Sequence, residues 1–320
     1  MSERSVQVPT MDDLAALQAQ VDDLDARVTA LEQGGTAPPE PDSAYTFEDQ
    51  FSGLELWNRD RPDASLTWRP TRWYSDDEWS GWDCNAGRMV NPYAQPGTAS
   101  LYGVNSDNQL YLGIERTDAS HGDCKGAPFV TSQINQLSFK QKGGYWEARI
   151  KCPNIRGTNC AFWLMNDHSW PPEVDILELV TFDDGSAVMS QNLWDPTDNS
   201  TNPYYQWSFD RTAWHTVGVY WDVALRRFQF FMDGAHTMEV AQPEGYDHGM
   251  FVILSMQQGG DWSGPTPDDA AMGAMLIDYV RISKQLPGAL HSAPQAQKSG
   301  KAPLGRRSRG LGSGVRQHAV

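Results

Sequence analysis

Apolar residues change their period once along the chain. Leu14, Leu17, Val21, Leu24, Val28 and Leu31 recur at alternating steps of three and four, the spacing of one helix face. Thr10 and Asp13 are placed as a capping box before it, and Gly34 with Gly35 ends it. With Leu14, Val21 and Val28 at a and the three leucines Leu17, Leu24 and Leu31 at d, Arg27 falls at g and Glu32 at the following e, where a parallel coiled coil forms its interchain ion pair. Residues 1–33 therefore read as a short heptad helix. It would pair the chain into a homo-dimer or trimer through residues 14–31, or fold back on its own domain. Residues 34–44, GGTAPPEPDSA, are a Gly/Pro linker. Beyond them the helical period disappears. The runs QLYLGIER, GYWEARIKC, CAFWLM, HTVGVYW, RRFQFFMDG, MFVILSM and LIDYVRI are β-branched and aromatic, and Gly, Pro, Asn and Asp separate them. That pattern predicts one all-β sandwich domain over residues 45–286.

Composition narrows the partners. Against 25 Lys+Arg stand 41 Asp+Glu, a net charge of −16, which argues against a nucleic-acid partner for the body of the protein. The tail 287–320 holds Lys298, Lys301, Arg306, Arg307, Arg309 and Arg316 and no acid, so it reads as a basic disordered segment. It is either a solvated tail or a tether to an anionic surface. The 13 Trp, 11 Tyr and 11 Phe supply flat apolar faces that suit both a sheet core and a ligand. No apolar run reaches the roughly 18 residues of a membrane-crossing helix, and MSERSVQVPTMDDLAAL lacks the basic start and apolar stretch of a signal peptide. Four cysteines, Cys84, Cys124, Cys152 and Cys160, show no CxxC spacing. A 152–160 bridge with 84–124 as its complement, and four structural thiols, both remain open.

The segment WPPEVDILELV, residues 170–180, sets Glu173, Asp175 and Glu178 in an apolar run. In a regular strand Glu173 and Asp175 share a face and Glu178 points the other way. A β-bulge at Ile176–Leu177 would return Glu178 to the face of the other two. The glutamate backbones would then lie about 13 Å apart, and side chains leaning together could approach the roughly 5–5.5 Å carboxyl gap of retaining glycosidases. Three crowded carboxylates favour keeping one of them protonated. Glycoside hydrolysis needs that split, with one carboxylate attacking the anomeric carbon and a neutral acid protonating the leaving oxygen. An exposed acidic edge strand or a calcium site is the competing explanation of the same residues.

PPEVDILELV resembles the bulged E-x-D-x-x-E signature of glycoside hydrolase family 16, the family of laminarinase-type β-glucanases. The resemblance extends through FEDQFSG (47–53), the run from TSQINQLSF to CAFWLM (131–165), WHTVGVYWD (214–222), FFMDG (230–234) and the segment from FVILSMQQGGDWSGP to LIDYVRI (251–282). It implies a concanavalin A-like jelly-roll sandwich of two curved antiparallel sheets with sugar across the concave face. It makes Glu173 the nucleophile, Glu178 the general acid/base and Asp175 the residue that tunes the charge on Glu173. Trp163 matches a tryptophan at the base of the cleft, and Trp262 a loop residue near it. No catalytic cofactor is implied. A structural calcium ion near the termini is left open, with Asp278 the residue from which a ligand would come. One departure stands out: where relatives commonly present a histidine to the cleft, this chain has Gln191, Asn192 and Trp194. An amide still hydrogen-bonds a hydroxyl but does not titrate.

These readings converge on a retaining endo-glycosidase acting on a β-linked polysaccharide, first β-1,3- or β-1,3/1,4-glucan and then galactans, with transglycosylation a near variant. The alternative is a non-catalytic carbohydrate-binding or phage virion structural module on the same fold. Either would act outside the cell, as part of a virion such as a phage tail depolymerase, in the cell envelope, or as a secreted protein.

Overall fold

Alternating and continuous apolar runs between turn residues fold as strands because each buries one or both faces against a second layer. A computed structural model describes most of residues 45–291. Residues 1–44 and 292–320 lie outside the described residues, as do short internal stretches of which 58–65, 71–78, 122–126 and 196–203 are the longest. The expected heptad helix, linker and most of the basic tail fall there.

The strands, in chain order, are β1 (Tyr45–Asp49), β2 (Trp79–Cys84), β3 (Gly87–Val90), β4 (Tyr102–Val104), β5 (Leu110–Arg116), β6 (Phe129–Asn135), β7 (Gly144–Lys151), β8 (Thr158–Met165), β9 (Glu173–Thr181), β10 (Ala187–Trp194), β11 (Tyr204–Trp207), β12 (His215–Asp222), β13 (Arg227–Met232), β14 (Ala235–Ala241), β15 (Phe251–Gln258) and β16 (Gly273–Ser283). One layer has the order β11-β10-β9-β8-β15-β6 and the other β5-β16-β7-β12-β13-β14, with β6 pairing β5 where the two join. All named pairs are antiparallel except β3 with β6. Every predicted run forms a strand, and a 3-10 turn at Gly288–Leu290 continues past the expected domain end.

The core lies between the layers. Phe162 and Leu164 of β8, Val174 and Leu179 of β9, Met189 and Leu193 of β10, and Val252 and Leu254 of β15 enter one cluster with Trp146, Trp221 and Phe228 of the facing layer. Trp221 stacks on Phe228 with ring centroids 5.3 Å apart, and Tyr246 meets Phe228 edge-on at 5.1 Å. Burying a side chain of this size contributes about 1.5–3 kcal/mol, so the register of the front layer is strongly specified by its inward residues.

Cys152, just past β7, and Cys160, on β8, are free thiols in this core. The neighbouring Cys160 thiol, together with burial, pushes Cys152 well above the ordinary thiol range, which keeps it protonated and unreactive. Cys84 and Cys124 lie outside what the structure describes of side chains. Alkylation followed by peptide mapping is therefore expected to label Cys152 and Cys160 only after unfolding. If unfolding without a reductant left both unlabelled, they would be bridged.

Candidate active site

The outer face of the front layer is built by strand parity. Directly paired residues share a face, so the register defines rows across the sheet. Trp194 of β10, Glu173 of β9, Met165 of β8 and Phe251 of β15 form one row. The next comprises Asn192, Asp175, Trp163, Ile253 and Asn135 of β6, and Arg69 bridges Asn135 at its end. A third contains Ser190, Glu178, Ala161, Ser255 and Gln133.

These rows exist only because β9 carries one extra residue. Opposite β8, Leu177 pairs with Phe162 and Asp175 with Trp163, leaving Ile176 without a counterpart. Opposite β10 the register shifts at the same point, between Ser190 and Asn192. Ile176 and Leu177 both pack into the core, and Glu173, Asp175 and Glu178 share the outer face, as the sequence predicts. Met165 and Ala161, opposite the two glutamates, are four residues apart on the regular strand, so the glutamate Cα atoms are separated by about 13 Å.

The carboxylates are recessed, with Glu173 7%, Asp175 2% and Glu178 6% exposed. Burying such groups is costly unless donors meet them. Trp170, in the loop before β9, donates its indole N–H to Glu173 Oε2 at 2.6 Å. Trp194 donates its own to Asp175 Oδ2 at 2.9 Å. Glu178 accepts from the Asn159 amide at 3.2 Å and lies 3.5 Å from the Ser190 hydroxyl. The tyrosine hydroxyl of Tyr246 is 2.8 Å from the carbonyls of both Glu173 and Trp194, pinning the end of the β9–β10 ladder. Burial pushes the Tyr246 phenol well above its ordinary range, and the Asp175 and Glu173 charges add to it, so it stays a donor.

Trp163 is 9% exposed and lies beside Ala161, Met165, Phe251 and Ile253 in a small apolar cluster on this outer face, with Trp170 against it. Its indole donates to Ser255 Oγ at 3.2 Å. Sequence reasoning passed over Asn159, Trp170, Ser190 and Tyr246. Parity alone finds Asn159 from Trp163 and Ser190 from Asn192, whereas Tyr246 arrives from a distant loop with no local signal.

The family profile described as glycosyl hydrolases family 16 matches residues 97–281. The chain belongs to that family. It is 25% identical over 244 residues to the endo-1,3-1,4-beta-glycanase ExsH of Rhizobium meliloti, covering 74% of this chain and 51% of that protein. With a beta-glucanase of Rhodothermus marinus it shares 22% identity over 263 residues, 72% of this chain and 90% of the other. It thus spans about half the length of the rhizobial relative. Its fold matches the catalytic domain of an endo-1,3-beta-glucanase (laminarinase) from Thermotoga petrophila with a TM-score of 0.58 at 18% identity, covering 74% of this chain and 96% of that one.

Within this family 16 domain one expected residue sits elsewhere. Gln191 is not presented with Asn192 and Trp194. It points into the core, fully buried, because neighbouring residues of a strand face opposite ways. Trp262 is half-buried in the turn after β15. Asp278 accepts from Arg149 Nη1 at 2.6 Å through Oδ2. Among the described residues no cluster of three or more His, Cys, Asp or Glu side chains suits a metal ion.

A double-mutant cycle isolates the indole–carboxylate bond from any activity. Hydrogen bonds to charged groups contribute about 1.5–3 kcal/mol, so Trp194→Phe and Asp175→Ala, compared singly and together by urea denaturation, are expected to couple by about that amount. Additive effects would show that the bond contributes nothing.

Proposed function

We propose that this family 16 domain is a retaining endo-glycosidase that hydrolyses β-1,3- or β-1,3/1,4-glucan. The observation that carries this reading is the difference between the hydrogen-bond partners of the two glutamates. Glu173 meets an indole N–H, which can only donate, so the oxygen facing it is held as an acceptor. Glu178 accepts from the Asn159 amide at Oε1, and its Oε2 lies beside a serine hydroxyl, which donates to a carboxylate and accepts from a carboxylic acid. One group is thereby kept as an anion's acceptor oxygen, and the other is supported in both protonation states.

In the proposed reaction Glu173 attacks the anomeric carbon and forms a glycosyl ester, while Glu178 gives its proton to the departing glycosidic oxygen. Glu178, now a carboxylate, then takes a proton from water as that water displaces Glu173, and both groups return to their starting states. Asp175, on the same face between them, receives the Trp194 indole and keeps negative charge next to the nucleophile. Asn192, its partner on β10, and Trp163, its partner on β8, are proposed to contact the sugar over this row, with Trp262 as a contact from the loop. The glucan preference is supported by the relatives, an endo-1,3-1,4-beta-glycanase and a beta-glucanase.

Reducing ends released from laminarin, lichenan, agarose and κ-carrageenan by wild type and by Glu173→Gln test the reading. Wild type is expected to act on laminarin or lichenan, Glu173→Gln on neither, and Glu178→Gln is expected to lose about 10²–10⁴-fold on unactivated substrate. Equal and negligible release by wild type and Glu173→Gln from all four would overturn the assignment.

A further inference from the structure

The bulge that gathers the carboxylates leaves a problem inside the protein. An extra residue interrupts the ladder, and an interior carbonyl left without a donor is destabilising. The carbonyl at issue is that of Ile176, on the core side of β9. Gln191 meets it: its side-chain amide donates to Ile176 O at 3.0 Å. The same amide nitrogen is 3.3 Å from Phe231 O on β13, and Gln191 Oε1 accepts from the Thr237 hydroxyl on β14.

The far end of this network is irregular as well. Phe230 pairs with Met238 and Phe231 with His236, so Thr237 is an extra residue in β14 as Ile176 is in β9. One fully buried glutamine thus joins the bulge of the front layer to the bulge of the back layer. Both amide hydrogens and the amide oxygen have partners. A saturated polar network in an apolar core specifies one register, because any slip leaves several buried groups unpaired.

We propose that Gln191 is a positioning residue for the carboxylate set, fixing where the β9 bulge falls and hence the placement of Glu173 relative to Glu178. This rests on the glycosidase reading above. Catalytic groups must be held to about 0.5 Å, and a misplacement of about 1 Å costs on the order of 10²-fold in rate. Gln191 touches neither substrate nor a carboxylate, so its effect falls on the reaction step and not on sugar binding.

Gln191→Met keeps the volume of the side chain and removes its amide. Thr237→Val keeps Gln191 and removes its outer anchor. For each, kcat and KM on the preferred glucan are measured below the thermal transition. Alongside them runs the rate of covalent labelling by a dinitrophenyl 2-deoxy-2-fluoro-β-glycoside of two β-1,3-linked rings. In that labelling the Glu173 carboxylate displaces dinitrophenolate, which leaves with the bonding electron pair and needs no proton from Glu178. Gln191→Met is expected to lower kcat and the labelling rate about 10–100-fold with KM within about twofold, and Thr237→Val to lower them less. Folded variants with wild-type kcat and labelling rate would overturn the proposal. Should Gln191→Met fail to fold, Thr237→Val decides alone: a reduced labelling rate supports the proposal and an unchanged one overturns it. Failure of wild type itself to be labelled would instead count against the glycosidase reading.

Discussion

Strand parity and a single extra residue govern everything on the outer face of this domain. An unbroken β9 would turn Glu178 into the core opposite Cys160 and Met189, or else turn Glu173 and Asp175 inward. Either arrangement leaves buried charge against hydrocarbon, at several kcal/mol for each ion. With Ile176 inserted, two successive apolar residues face the core and all three carboxylates face away from it. The bulge therefore reconciles the hydrophobic pattern of the strand with its acidic positions, and no other local change in β9 does both.

The insertion shifts the burden onto polar pairing. Each carboxylate is nearly inaccessible, and each takes a hydrogen bond from a different element: Trp170 from the preceding loop, Trp194 and Ser190 from β10, Asn159 from β8. Tyr246 then ties the first residue of β9 to the last of β10 through their carbonyls. Indoles serve this environment well. They bring a donor and a large apolar surface together, so Trp170 both caps Glu173 and covers the Trp163–Phe251 cluster. The proposed mechanism depends on this support, because a carboxylate free to swing would lose the alignment that makes attack on a fixed anomeric carbon fast.

Much of this was legible in the residues. The runs that alternate or stay apolar became strands, and the parity argument for EVDILE located the bulge at the residues where the register shifts. The same argument, applied to SQNLW, separates Gln191 from Asn192 and Trp194. Sequence similarity to a histidine-bearing strand obscured that alternation. What no local pattern conveys is contact between segments far apart in the chain. Tyr246 reaches Glu173 across 73 positions and Gln191 reaches Phe231 across 40, and such pairings follow from how the two layers stack. Asp278 and Arg149 pair across 129 positions in the same way.

The replacement of an expected histidine by Asn192 and Trp194 changes the proton chemistry of the row. An imidazole donates or accepts according to its tautomer and takes up a proton near neutrality. The Trp194 indole only donates and does not titrate, so Asp175 Oδ2 faces a fixed donor and is a poor seat for a proton. Glu173 Oε2 is in the same position opposite Trp170. Glu178 Oε2 lies beside a hydroxyl that can donate or accept. The donors around the two glutamates suit the division of labour proposed for them, and β10 contributes by setting a fixed donor against Asp175.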